Sequence, residues 1–224
     1  MKFAVFGGTQ GVGLEFVKQA LDLDPKPSVR LLARTPSKVP AELRENANAA
    51  FTTVVEGDIR NQEAVDRVVE GTNVVILSLG NTKSPQNPDA MRPVDTCSVG
   101  TPVVLNAMKK HNVQKLICVT SAGVGDSWAD VPWWIKPVIW YFIGAALKDK
   151  DIQEQQIKDS GIPFVIVRPG GLQNAPKTGV YRVAEHIAEL GRVARADVAD
   201  LCVKLATDEA EWANWVGKTP TQIA

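Results

Sequence analysis

Lys2-Phe3-Ala4-Val5-Phe6 runs directly into Gly7-Gly8-Thr9-Gln10-Gly11-Val12-Gly13 and then into Leu14-Glu15-Phe16-Val17. The first five residues form a short apolar run of strand length that ends at glycine. From Gly11 to Leu23, the apolar residues Val12, Phe16, Val17, Ala20 and Leu21 recur at the spacing of one helix face. A glycine-rich turn between a strand and a helix is the setting in which such a turn binds phosphate. Gly7 permits the sharp exit from the strand, Gly11 lets the backbone approach a pyrophosphate, and Gly13 lets the helix lie close to the sheet. The helix N-terminus adds unsatisfied N–H groups and partial positive charge. The alternative for the same residues is a tight strand–helix turn with no ligand.

Working outward, apolar runs recur at Val29–Ala33, Phe51–Val55, Val74–Leu79, Lys115–Thr120 and Pro163–Val167. Most are continuous rather than alternating, as expected of strands covered on both faces. Helical patterns at Gln62–Glu70, roughly Val94–Asn112, Lys150–Ser160 and Asp197–Thr207 follow or separate them, with Gly161 as a stop and Asp197 as the expected N-cap. Strands alternating with helices predict an α/β fold: a Rossmann-type, doubly wound, mostly parallel sheet of six or more strands with helices on both faces. The 224 residues fit one domain, 1–224. Two stretches break the pattern. Asn81–Pro93, with three prolines, reads as a loop. Residues 123–147 hold Trp128, Trp133, Trp134 and Trp140 and read as a substrate-side insertion.

Composition narrows the function classes. With 45% hydrophobic residues the chain can fill a core, and 25 basic residues balance 25 acidic ones. The balance argues against nucleic acid as a partner, since a basic stripe is absent from the sequence. The mixed run of Lys148, Lys150 and Lys158 with Asp149, Asp151 and Asp159 reads as a solvated helix face. Cys97, Cys118 and Cys202 have neither metal-site nor disulfide spacing, and a metal is not expected. No apolar run reaches the ~18 residues of a membrane span, so a soluble, cytoplasmic protein is expected.

The spacing Gly7-x-x-x-Gly11-x-Gly13 resembles that of the short-chain dehydrogenase/reductase superfamily. Further motifs fall in order: Gly57-Asp58-Ile59, Ser78-Leu79-Gly80, Val119-Thr120-Ser121-Ala122-Gly123, Lys150-Asp151-Ile152-Gln153-Glu154, Val167-Arg168-Pro169-Gly170-Gly171-Leu172 and Arg195-Ala196-Asp197-Val198-Ala199. Together they are similar to the atypical short-chain dehydrogenase/reductases, the NAD(P)H-binding group that includes nitrogen-metabolite-repression regulators and biliverdin reductase B. The resemblance covers nearly the whole chain. One departure is Gln10, which stands where the atypical group usually has its middle glycine.

The resemblance implies a dinucleotide cofactor held at Gly7, Thr9, Gln10, Gly11, Val12 and Gly13. Where an NAD enzyme places an acidic residue after the second strand, this chain has Arg34, whose guanidinium suits a 2′-phosphate, with Lys38 assisting. NADP(H) is therefore the preferred cofactor, with NAD(H) as the alternative. By the same resemblance, Asp58 and Ile59 would lie beside the adenine and Leu79 and Gly80 beside its ribose. Thr120 and Ser121 would sit near the nicotinamide, Lys150 on its ribose, and Pro169, Gly170 and Gly171 along its edge.

The catalytic chemistry is thinner. Classical members pair a tyrosine with a lysine four residues on, but Tyr141 is followed by Ala145 and Tyr181 by Glu185. Ser121 and Lys150 are the candidate catalytic residues; Ser121 has the alternative role of a strand-end cap, and Glu154 stands four residues after Lys150. Without a protein acid, hydride transfer to a small conjugated acceptor, such as a flavin or quinone, fits better than reduction of an unactivated ketone. A non-catalytic redox sensor or assembly factor acting through a protein partner is the alternative. The tryptophan segment reads as an aromatic lid, with a buried insertion or a dimer contact as the alternative, and lid or core is preferred to a shallow membrane seat. His111 reads as a helix C-terminal residue, and His186 carries no assignment.

Overall fold

The continuous apolar runs become the centre of a twisted sheet. The computed structural model describes residues 1–44, 50–80 and 94–224. In it, β1 (Lys2–Phe6), β2 (Ser28–Ala33), β3 (Thr52–Glu56), β4 (Val74–Leu77), β5 (Leu116–Val119) and β6 (Phe164–Pro169) are all parallel, in the order β3-β2-β1-β4-β5-β6. The sheet continues through β10 (Thr221–Ile223), parallel to β6, to β8 (Arg182–Ala184), antiparallel to β10. A separate parallel pair joins β7 (Gly171–Gln173) to β9 (Arg192–Ala194).

Alternation along β1 explains the two-sided burial. Phe3 and Val5 face α1 (Gly11–Leu21) and α6 (Arg195–Thr207), where Phe16, Val17, Val198 and Leu201 complete one core. Ala4 and Phe6 face the opposite layer, filled by Val65 and Val68 of α3 (Gln62–Val69) and Val104 and Met108 of α4 (Thr96–Lys110). Successive strand side chains point to opposite faces, so a strand with a core on both sides must be apolar throughout. The short helices α2 (Ala41–Arg44) and α7 (Glu209–Trp215) complete the chain together with α5 (Lys136–Lys158).

Three sequence expectations need correction. The helix read as Lys150–Ser160 starts at Lys136, so half of the supposed insertion is its first turns, led in by Pro137. Of the charged run read as a solvated face, Lys148, Asp151, Lys158 and Asp159 are exposed, but Asp149 is buried, as are Gln153 and Glu154 beside it. Asp149 accepts hydrogen bonds from the Cys97 and Ser98 N–H groups, at 2.9 and 2.8 Å, and so caps α4 from a neighbouring helix. Asp95, the local N-cap of α4, makes no side-chain cap and instead pairs with Arg60. Asp197 is not the cap of α6, a position held by Ala194; its carboxylate accepts from Thr178 and Gly179 N–H and the Thr178 hydroxyl, tying down the segment before β8.

His111 is the C-cap of α4, as expected, with Nε2 3.9 Å from Asp66. The loop expected at Asn81–Pro93 lies outside the described residues. No described helix is long and apolar enough to cross a membrane.

Candidate functional site

The strand order reverses between β1 and β4, where chains leaving the two strands diverge and open a crevice at their C-terminal ends. A cleft of about 520 Å³ lies there. Its floor is the glycine turn. Gly7 has φ +86°, and a Cβ on it would sit 2.2 Å from the Ser78 carbonyl oxygen, so the turn nests against the end of β4. A Cβ on Gly13 would lie 2.4 Å from the Gly7 carbonyl oxygen, which is how closely α1 docks on the turn. Gly13 therefore shapes the site without lining it. Thr9, Gln10, Gly11 and Val12 do line it, and the first turn of α1 carries no side-chain cap and no acidic residue.

One end of the cleft is formed by Leu32, Ala33 and Arg34 from the end of β2 and by Gly57, Asp58, Ile59 and Arg60 after β3. Asp58 accepts from the Arg60 N–H at 2.9 Å, and Arg60 pairs with Asp95 at 2.6 Å. Leu79 and Gly80 border the middle, and a Cβ on Gly80 would meet nothing within 4 Å. Lys38 does not line the cleft.

The other end brings together Val119, Thr120, Lys150 and Leu172, while Asn174 and Arg195 line the cleft by the glycine turn, the Arg195 Nε 3.9 Å from where a Cβ on Gly11 would be. Lys150 donates to the Leu79 and Val119 carbonyl oxygens, at 3.1 and 3.2 Å, so its Nζ is fixed between two strand ends. Ser121 does not line the cleft; its hydroxyl donates to the neighbouring Ala122 carbonyl at 3.0 Å. Pro169, Gly170 and Gly171 are also off the cleft. The Gly170 N–H donates to Gln222 and that of Gly171 to Gly191, and the lining falls instead to Leu172, one residue further along.

Beneath this end lies an ion network the sequence reading missed. Arg168 and Glu154 are 0% and 1% exposed and joined by two hydrogen bonds. Arg168 also reaches Asp126 at 2.7 Å, and Glu154 accepts from the Thr120 hydroxyl at 2.7 Å. Burial would lower the Arg168 guanidinium, but Glu154 and Asp126 outweigh it and hold it above its ordinary value. Glu154 thus anchors Thr120 and Arg168 and does not face Lys150 as a catalytic partner. Its hold on the Thr120 proton leaves the hydroxyl oxygen to accept from whatever occupies the cleft.

Neither tyrosine lines the cleft. Tyr141 is 84% exposed on α5, and the Tyr181 hydroxyl donates to Asp200 at 2.7 Å on another face. The Cys97 thiol, beside Leu79, is pushed up to about 11 by burial. The tryptophan segment is not a buried insertion: Trp133, Trp134 and Phe142 are exposed at 83%, 59% and 76%, and none of them lines the cleft. Its two edge-to-face ring contacts are internal, Trp128 with Trp140 and Tyr141 with Phe142. His186, unassigned from sequence, pairs with Asp130 at 3.1 Å.

Arg60, Thr96 and Asn174 line the cleft without having been named from sequence, and Ser78, Leu172 and Arg195 had appeared only as motif members with no role at the site. Arg195 carried a signal: an arginine in the first position of a helix opposes the helix dipole.

The family described as NAD(P)H-binding matches residues 7–209. An uncharacterized chloroplastic protein of Arabidopsis thaliana is 33% identical over 125 residues, covering 54% of this chain and 44% of the relative. The chain likewise covers between 56% and 62% of three further curated relatives. Among solved structures, the anaerobilin reductase ChuY of Escherichia coli O157:H7 aligns with TM-score 0.79 at 23% identity, over 100% of this chain and 97% of that one. A short-chain dehydrogenase/reductase of Veillonella parvula in complex with NADP aligns with TM-score 0.82 at 14% identity, over 100% and 94%. At those identities the structures establish the fold.

Proposed function

Because the chain belongs to the NAD(P)H-binding family, we propose that it is an NADP(H)-dependent oxidoreductase, one domain over residues 1–224, that reduces a small conjugated acceptor such as a flavin or quinone. The observation that carries this reading is one continuous cleft running from Arg34, over an uncapped helix N-terminus, to a lysine held by two carbonyls. The residues fit a dinucleotide. A Cβ on Gly11 would meet only one atom within 4 Å and one on Gly80 none, which leaves the room that phosphates and ribose need. Arg34 stands where an acidic residue would favour an unphosphorylated ribose and suits the 2′-phosphate instead, with NAD(H) as the weaker ligand.

When bound, the dinucleotide supplies a hydride. Lys150 orients the adjoining ribose with the ammonium proton its two carbonyl partners leave over, and Thr120 accepts a donor from the ring's amide. Among the described residues, no tyrosine lines the cleft to deliver a proton. A conjugated acceptor needs no such acid, because its reduced form takes a proton from water. An anaerobilin reductase of the same fold is in keeping with that chemistry.

A second reading follows from a different observation. The exposed Trp133, Trp134, Tyr141 and Phe142 of the α5 region make an apolar surface of the kind that meets a protein partner. A redox sensor or assembly factor would use the dinucleotide without turnover.

Purified protein should oxidise NADPH with at least one flavin or quinone, and Lys150→Ala should lower that rate by about 10-fold or more, the cost of a charge-assisted hydrogen bond. Tight NADPH binding with no turnover across flavins, quinones and small carbonyls would favour the sensor.

A further inference from the structure

Arg195 occupies a position that electrostatics alone disfavours. It is the first residue of α6, at the positive end of a 13-residue helix. Its side chain reaches across the cleft to a second positive end: Nε lies 3.9 Å from where a Cβ on Gly11 would be, at the start of α1. Among the described residues, no acidic side chain pairs with this guanidinium. The first turn of α1 has none, and Asp197 in the first turn of α6 is turned toward Thr178 and Gly179. Among the described residues Arg195 makes no ion pair; its Nη1 donates to Asn174 Oδ1 at 2.8 Å, which fixes the direction of the guanidinium.

Two helix N-termini and a guanidinium thus converge on one open volume of the cleft. An anion in that volume turns a mutual repulsion into three attractions. We propose that Arg195, steadied by Asn174, closes over the diphosphate of the bound dinucleotide from the side opposite the glycine turn. The inference rests on the cofactor reading above and adds a binding residue from the C-terminal part of the chain. The same chemistry suits an anionic group of the acceptor substrate; the diphosphate is favoured because the guanidinium meets Gly11, on the phosphate turn itself.

The test is equilibrium binding by the full chain of NADP+, NAD+ and adenosine 2′-monophosphate, which lacks the diphosphate. Arg195→Gln should weaken NADP+ and NAD+ by the same factor, roughly 10- to 100-fold, and leave adenosine 2′-monophosphate unchanged. Asn174→Ala should weaken both dinucleotides less, about 2- to 5-fold. Ligand-free Arg195→Gln should also melt about 1–3 °C higher than wild type, because an unfavourable charge is gone. Unchanged dinucleotide affinity in Arg195→Gln would overturn the proposal and assign the arginine to the acceptor instead. Equal loss of adenosine 2′-monophosphate would overturn it as well, since the effect would then come through the fold. Failure of the wild-type protein to bind either dinucleotide would overturn the cofactor reading itself.

Discussion

The two ends of the cleft are built by different means. At the glycine turn and Arg34, the site is a single local motif: backbone N–H groups, three glycines and the residue that ends the next strand. At the Lys150 end it is assembled from distant segments, with Thr120, Lys150 and Leu172 each arriving from a different element or loop. Here a buried ion pair, Glu154 with Arg168, sets the position of Thr120. The first end depends on chain conformation, with no room for a Cβ at Gly7 or Gly13. The second depends on paired charges whose partners must both be present.

That difference predicts where substitution is most damaging. Glu154→Ala removes the buried partner of Arg168, leaves the guanidinium to the half-exposed Asp126, and frees Thr120. It should cost about 3–5 kcal/mol of stability and lower the melting temperature by roughly 6 °C or more. Thermal denaturation of the variant decides it; a loss within about 1 °C would mean that the network contributes no more than a surface pair.

The same difference explains what could be read from the sequence. The turn was legible because its signal is contiguous: strand, glycines and helix lie within Lys2–Leu21. The central strands were legible because two-sided burial makes them apolar without interruption. Residues β7 to β10 were not, since a three-residue strand carries no periodicity. Ser121 and the Pro169–Gly171 run were placed at the site by motif order, and pairing of β7 with β9 moves the lining to Leu172. Asp149 reads as solvent-facing and Glu154 as a companion of Lys150 because their partners, the N-terminus of α4 and Arg168, are remote in sequence. The start of α5 was missed because its first turns are aromatic on all sides and show no amphipathic stripe.

A smaller effect separates a third region, the anchor that holds the segment before β8 to α6. Asp200 pairs with Lys177 at 2.8 Å and Lys204 at 2.7 Å and accepts from Tyr181. Burial raises its carboxyl, but these donors outweigh it and hold it at about 2. A carboxylate lowered by folding stabilises the protein above its ordinary range near pH 4, and that contribution disappears as the pH falls toward 2. Asp200→Asn should therefore be less stable than wild type at pH 6, with the difference shrinking between about pH 4 and pH 2. Urea midpoints at pH 6 and pH 2.5 measure it, and a constant difference across that window would remove Asp200 as its source.

The most direct test of the cofactor assignment is a binding titration of NADPH and NADH against wild-type protein and Arg34→Ala. Wild type should prefer NADPH, and Arg34→Ala should lose roughly 10- to 100-fold of NADPH affinity, the worth of a charge-assisted contact to a phosphate, with NADH affinity kept. Equal loss of both dinucleotides, or no loss of either, would contradict the assignment of the 2′-phosphate to Arg34.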